Sequence, residues 1–135
     1  MRYRHTMLRV RDMSRAIAFY RQTAGFRLKS QHSFDDPPLS ITFMLAPGDD
    51  DVGPSLELVQ DPRIALGEGK DAQGHVSYLV TDLHALIERA ERHGGRLLQQ
   101  PTRTLDGRAL LAIFADPDGN EIELIQALAA EGSST

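Results

Sequence analysis

The sequence predicts an α+β fold made of two tandem βαβββ modules, with mixed, curved sheets forming a cleft. Three observations predict it. Residues 5–28 and 75–98 match at an offset of 70: His5 meets His75, Val10 meets Val80, Asp12 meets Asp82, Ile17 meets Ile87, Gly25 meets Gly95 and Leu28 meets Leu98. LELVQ at 56–60 then meets IELIQ at 122–126, at an offset of 66. The second copy is therefore shorter by a few residues, and the longer turn around Pro47–Gly53 is where the first copy carries the excess. Finally, each copy changes its apolar period from two to 3.6 and back, which is the signature of strand, helix and strand in turn.

Each copy opens on a strand, over 3–10 and 74–81, rich in Val, Leu, Tyr and Thr. A helix follows. Met13, Ala16, Ile17 and Tyr20 recur at helical spacing, as do Leu83, Leu86, Ile87 and Ala90. Asp12 and Asp82 are placed as N-caps, because a short carboxylate can accept the free N–H groups of a first turn. Gly25 and the pair Gly94–Gly95 are placed as stops, since glycine tolerates the left-handed conformation at a helix end. Three more strands complete each copy, near 26–33, 39–46 and 55–60, then near 96–102, 108–115 and 121–126. The DPDG turn at 116–119 joins the last two as a hairpin. One domain over 1–126 then consists of module 1 (1–62) and module 2 (73–126). DPRIALGEGKDAQ at 61–73 forms the linker, and 127–135 a loose tail.

Composition narrows the function. The chain has 135 residues, a net charge of −4 and no cysteine. The missing cysteine excludes disulfides, thiolate zinc sites and a cysteine nucleophile, so a metal site must use histidine, carboxylate or water. The charge gives no footprint for nucleic acid or an anionic membrane. No apolar run reaches the ~18 residues of a membrane span, and MRYRHTMLRV lacks the apolar stretch of a signal peptide. A cytoplasmic protein is expected. A chain this short has little core in which to enclose a large pocket by itself.

The repeat selects His5, Glu57, His75 and Glu123, one histidine from each first strand and one glutamate from each last strand. Strand alternation puts His5, Met7 and Arg9 on one face, and His75, Ser77 and Leu79 on the matching one. Leu56, Leu58, Ile122 and Leu124 take the opposite face and suit the helix-covered core. The histidines and glutamates therefore point away from that core, into a cleft if the strands curve. Two imidazoles and two carboxylates suit an octahedral divalent ion, such as Ni, Co, Mn, Fe or Zn. The alternative is a set of retained copies sharing no site. The acidic run Asp49–Asp51 is read as a solvated turn, and His32, His84 and His93 as ordinary surface residues, with His32 beside a polar loop.

Several segments carry a family resemblance: HTMLRV at 5–10, IAFY at 17–20, LEL at 56–58, GH at 74–75 and DPDGNEIELIQ at 116–126. Through them the chain resembles the vicinal-oxygen-chelate superfamily, and most of all its short bacterial glyoxalase I (lactoylglutathione lyase) form. The resemblance implies that His5, Glu57, His75 and Glu123 are the metal ligands, with Ni or Co favoured and Zn, Mn or Fe possible. It implies isomerisation of the glutathione–methylglyoxal hemithioacetal through an enediolate, with glutathione as co-substrate. Glu123 would be the main base, with Glu57 shuttling a proton on the other face. It implies a homodimer in which each site takes one module from each subunit. Arg9 matches a substrate-binding arginine of the family. Two positions depart from the pattern. Asp61 stands where an asparagine is common, and Leu105 where a basic residue is common, with Arg103 and Arg108 nearby as substitutes. Relatives with other chemistry are the ring-cleaving dioxygenases, the thiol or epoxide-type transferases and the metal-free drug-binding resistance proteins. The complete His, Glu, His, Glu set argues against them.

Overall fold

The computed structural model describes residues 1–64, 66 and 75–129. Its elements follow the predicted order: β1 (His5–Arg9), α1 (Met13–Ala24), β2 (Arg27–Asp35), β3 (Pro38–Leu45), β4 (Ser55–Gln60), β5 (His75–Leu79), α2 (Leu83–Arg92), β6 (Arg96–Arg103), β7 (Ala109–Ala115) and β8 (Glu121–Ala127). Most of the predicted linker, and the last six residues of the predicted tail, lie outside the described residues.

Each module forms one four-stranded mixed sheet, with orders β1-β4-β3-β2 and β5-β8-β7-β6. The first strand of each module pairs in parallel with its last strand, and the remaining pairs are antiparallel. The two sheets are thus copies in topology as well as in sequence. The parallel pairing is possible because the helix carries the chain across between the first strand and the rest.

The helices begin and end as their sequences dictate. Asp12 and Asp82 accept hydrogen bonds from the backbone N–H groups of Arg15 and Ala85, both at 3.1 Å. A second cap comes from the last strand of each module. Gln60 Oε1 accepts from the Met13 N–H at 2.8 Å, and Gln126 Oε1 from the Leu83 N–H at 2.9 Å. The repeat pairs these glutamines, and the structure gives the reason: each fastens its helix to its own sheet. Gly25 ends α1 in the left-handed region, at φ 69°. After α2 the capping position is His93, and Gly94 takes the left-handed conformation at φ 96°. His93 is therefore a helix-end residue as well as an exposed one.

The predicted apolar faces are buried. Met13, Ala16, Ile17, Tyr20, Leu83, Leu86, Ile87 and Ala90 join Leu8, Leu56, Leu58, Phe114, Ile122 and Leu124 in a single cluster that spans both modules. The helices pack against each other within it. Ring contacts extend it, Phe19 to Phe114 at 6.0 Å and Phe26 to Tyr78 at 5.3 Å between centroids. The inner faces of the sheets are thereby used up. Their outer faces, which carry the histidines and glutamates, are left open.

Polar links lock the modules together. Tyr20 donates to Asp116 Oδ2 at 2.6 Å. Asp118 Oδ1 accepts from the Arg11 backbone N–H at 2.9 Å, and from the Arg11 and Arg15 guanidinium groups at 3.3 and 2.9 Å. Asn120 Nδ2 donates to the Arg9 carbonyl at 3.0 Å. The turn at 116–119 is thus a docking element as well as a hairpin turn. Among the described residues no helix is long and apolar enough to cross a membrane.

Candidate metal and substrate site

In module 1, His5 and Glu57 meet. Parallel register sets Met7 opposite Glu57 and places His5 two residues earlier on the same face. His5 Nε2 lies 3.5 Å from Glu57 Oε1. The imidazole is fixed from the side by Phe43, whose ring approaches it edge-on at 5.4 Å between centroids. Its buried Nδ1 has no hydrogen-bond partner among the described residues. The Nε2 edge is therefore the one directed at the carboxylate and the open face. Two ligands at ~2.1 Å from one ion, at right angles, are about 3 Å apart. The His5–Glu57 pair is close to that spacing, and its donor types suit a divalent ion.

In module 2, His75, Ser77 and Leu79 alternate outward on β5 and are all exposed. Ser77 stands opposite Glu123. Its hydroxyl donates to Glu123 Oε1 at 2.9 Å. His75 is exposed, two residues before Ser77 on the same face. The four residues selected by the repeat therefore divide between two sheets: His5 and Glu57 meet on one, and His75 and Glu123 lie on adjacent strands of the other. Among the described residues of one chain, no group of three or more histidine, aspartate or glutamate side chains is placed to hold a metal ion.

The other candidates divide. Arg9 follows His5 and Met7 on the open face of β1 and is half-buried. Asp61 is already engaged: Arg63 binds both of its oxygens, at 2.9 Å each. The hydrogen bond from the Arg63 side chain holds the Asp61 carboxyl below its usual range, with Arg9 adding a weaker pull. Arg103 and Arg108 lie at the β6–β7 hairpin, where Arg103 reaches the Gly107 carbonyl at 3.4 Å. Arg103 and Leu105 line a shallow groove of about 450 Å³ with Gln99, Thr102 and Leu111. Leu105 itself is fully exposed.

His32 is exposed, as expected, and lies within β2. It does not merely border a polar loop; its ring packs edge-on against Phe43 at 6.1 Å, and Ser30 Oγ lies 3.2 Å from its Nε2. The cause is a bulge between Leu28 and Ser30, which inserts one residue and turns Ser30 and His32 to the open face. Phe43 thus stands between His5 and His32. The acidic run behaves as a turn. Asp50 accepts from the Val52 and Gly53 N–H groups at 3.1 and 2.7 Å, and Arg27 donates to the Asp49 carbonyl. Two features of the site were missed in the sequence: the Ser77 contact and the Phe43 wall. Comparing Met7 with Ser77 across the repeat is the signal that could have raised the first.

Comparison with known proteins identifies the family. The model of the Glyoxalase/Bleomycin resistance protein/Dioxygenase superfamily matches residues 2–124. The chain is 34% identical over 122 residues to a probable lactoylglutathione lyase of Vibrio cholerae, covering 90% of this chain and 88% of that one. The chain belongs to the glyoxalase I branch of that superfamily. A lactoylglutathione lyase of Neisseria meningitidis is 31% identical over 136 residues, covering 98% of this chain and 96% of that one. The solved structure of glyoxalase I from Zea mays superposes with a TM-score of 0.79 at 26% identity, covering 95% of this chain. This chain spans 45% of the maize chain. A glyoxalase family protein from Bacillus cereus, at 18% identity and a TM-score of 0.78, has the same fold. Glyoxalase membership accounts for the paired βαβββ modules and for an enzyme of the lyase type.

Proposed function

We propose that this chain is a metal-dependent lactoylglutathione lyase, isomerising the hemithioacetal of glutathione and methylglyoxal to S-lactoylglutathione. The observation that carries the proposal is the His5–Glu57 pair, 3.5 Å apart on an open sheet face, with a second histidine and glutamate at the equivalent strands of the other sheet. The relatives named lactoylglutathione lyase support the substrate.

His5 and Glu57 of one subunit, with His75 and Glu123 of a second, would hold one divalent ion, nickel or cobalt by preference. Exposed Met7 and Leu79 flank these residues, at 40% and 79% exposure. Apolar side chains on an open face favour coverage by a second copy, and a twofold axis gives each face its complement. When bound, the ion supplies Lewis-acid stabilisation of negative charge on the two vicinal substrate oxygens.

The remaining steps belong to side chains. Glu123 accepts the proton from the carbon bearing sulfur. A carboxylate returns a proton to the neighbouring carbon, with Glu57 serving the opposite face. One C–H bond breaks and one forms, so substrate and product have the same composition and no external oxidant is needed. Arg9 binds a carboxylate of the glutathione portion by a charge-assisted pair. Arg103 and Arg108 offer further cations at the hairpin. Asp61, held by Arg63, is left to meet the substrate ammonium.

The test is hemithioacetal turnover, followed by thioester formation, before and after chelation. Activity should vanish on chelation and return with Ni²⁺ or Co²⁺. A protein that binds these ions without turning over the hemithioacetal would sink the lyase reading.

A further inference from the structure

Glu57 and Glu123 hold equivalent places, but their neighbours differ. Across the parallel pair, Met7 stands opposite Glu57 and Ser77 opposite Glu123. Across the antiparallel pair, Phe43 stands opposite Glu57 and Ile113 opposite Glu123. Glu57 is therefore flanked by two apolar residues and meets His5 of its own module at 3.5 Å. Glu123 has a hydroxyl on one side, donating to Oε1 at 2.9 Å.

From this asymmetry we infer that Ser77 is a positioning residue for Glu123. Its hydroxyl holds Oε1 and leaves Oε2 as the oxygen offered to a metal ion or a substrate proton. A glutamate side chain has several rotatable bonds, and a charge-assisted hydrogen bond to one oxygen narrows them to one orientation. Methionine has no proton to offer, so the sister position cannot restrain Glu57 in this way. The two glutamates of one composite site are then unequal: Glu123 is held from beside it on β5, whereas Glu57 relies on His5. Groups that orient ligands in this manner typically change metal affinity or activity by about 10–100-fold when removed.

The inference rests on the metal-site reading above, and its test separates the two. The full-length protein, stripped of metal, is titrated with Co²⁺ by calorimetry and visible absorption, as parent, Ser77→Ala and Ser77→Thr. Ser77→Ala should bind Co²⁺ about tenfold more weakly or worse, with altered cobalt bands. Its kcat should fall while KM stays near the parent value, and its metal-free melting temperature should not move. Ser77→Thr, which keeps the hydroxyl, should restore Co²⁺ binding. A Ser77→Ala protein binding Co²⁺ as tightly as the parent, with the same bands, overturns the role of Ser77. If the parent binds Co²⁺ but lacks lyase activity, only the lyase reading falls, and the cobalt affinities still decide Ser77. If the parent binds no Co²⁺, both fall together.

Discussion

The Tyr20 hydroxyl donates a 2.6 Å hydrogen bond to Asp116 Oδ2, joining the helix of the first module to the last turn of the second. Both groups are buried, at 2% and 4% exposure. Asp116 also accepts from the Asp118 and Asn120 backbone N–H groups at 2.9 Å each. Its second oxygen is shared by Tyr20 and Asn120 Nδ2. Burial raises the Asp116 pKa, and the bonds from Tyr20 and Asn120 pull it back down. Tyr20→Phe leaves that carboxyl short of one donor in the interior. A loss of about 1–3 kcal/mol is expected, the cost of an unsatisfied buried partner. Urea unfolding of the two proteins measures it, and an unchanged midpoint contradicts it.

Alkaline pH tests the same region. Burial, followed by the Asp116 charge, pushes the Tyr20 phenol well above its ordinary range. Burial likewise raises Tyr78, with a smaller contribution from Asp49. Both phenols titrate near pH ~10 once unfolded. The stability from keeping them neutral is fully present below that value and is lost as pH rises toward their folded values. Urea midpoints measured from pH 8 upward should fall once pH passes about 10. Tyr20→Phe should flatten that fall, and a parallel fall in both proteins assigns it elsewhere.

Gly95 marks a close approach. A Cβ there would meet the Ala90 carbonyl oxygen at 2.9 Å and the Ala115 carbonyl oxygen at 3.2 Å. Both are backbone atoms, so neither can swing aside. Gly95→Ala should cost about 1–3 kcal/mol through overpacking between α2 and β7. Its thermal midpoint is the measurement, and an alanine variant as stable as the parent would show that the backbone yields at this point.

The proposed sharing of the site between subunits can be tested by mixing them. His5→Ala damages module 1 of its chain, and Glu123→Ala damages module 2 of its chain. A heterodimer of the two contains one site with all four ligands intact and one with two lost. Each homodimer should be inactive, and the purified heterodimer should recover about half the parent activity per dimer. A heterodimer as inactive as its parents excludes sites built across subunits.

Much of this was legible in the sequence, for physical reasons. Periodicity reports which side of an element is apolar, so the buried stripe Met13, Ala16, Ile17, Tyr20 and the strand pairs Leu56, Leu58 and Ile122, Leu124 followed directly. Side-chain parity placed His5, Glu57 and Glu123 on the outer faces. The caps at Asp12 and Asp82 followed from their chemistry. The face of the sheet on which His32 lies was not legible, because a β-bulge adds a residue without leaving a mark in composition, and one residue reverses every face that follows. Asp116 and Asp118 were readable as turn residues only. Their bonds to Tyr20, Arg11 and Arg15 join positions about a hundred residues apart, and local patterns carry no information about such pairs.

The division of the proposed ligands between two sheets has a kinetic corollary. If neither module of a single chain can assemble the set alone, the working centre belongs to the assembly and obeys mass action. Specific activity should then drop on dilution below the dissociation constant of the dimer, steeply enough to betray the second-order return of subunits. An enzyme holding both halves of its centre in one polypeptide would be indifferent to the same dilution.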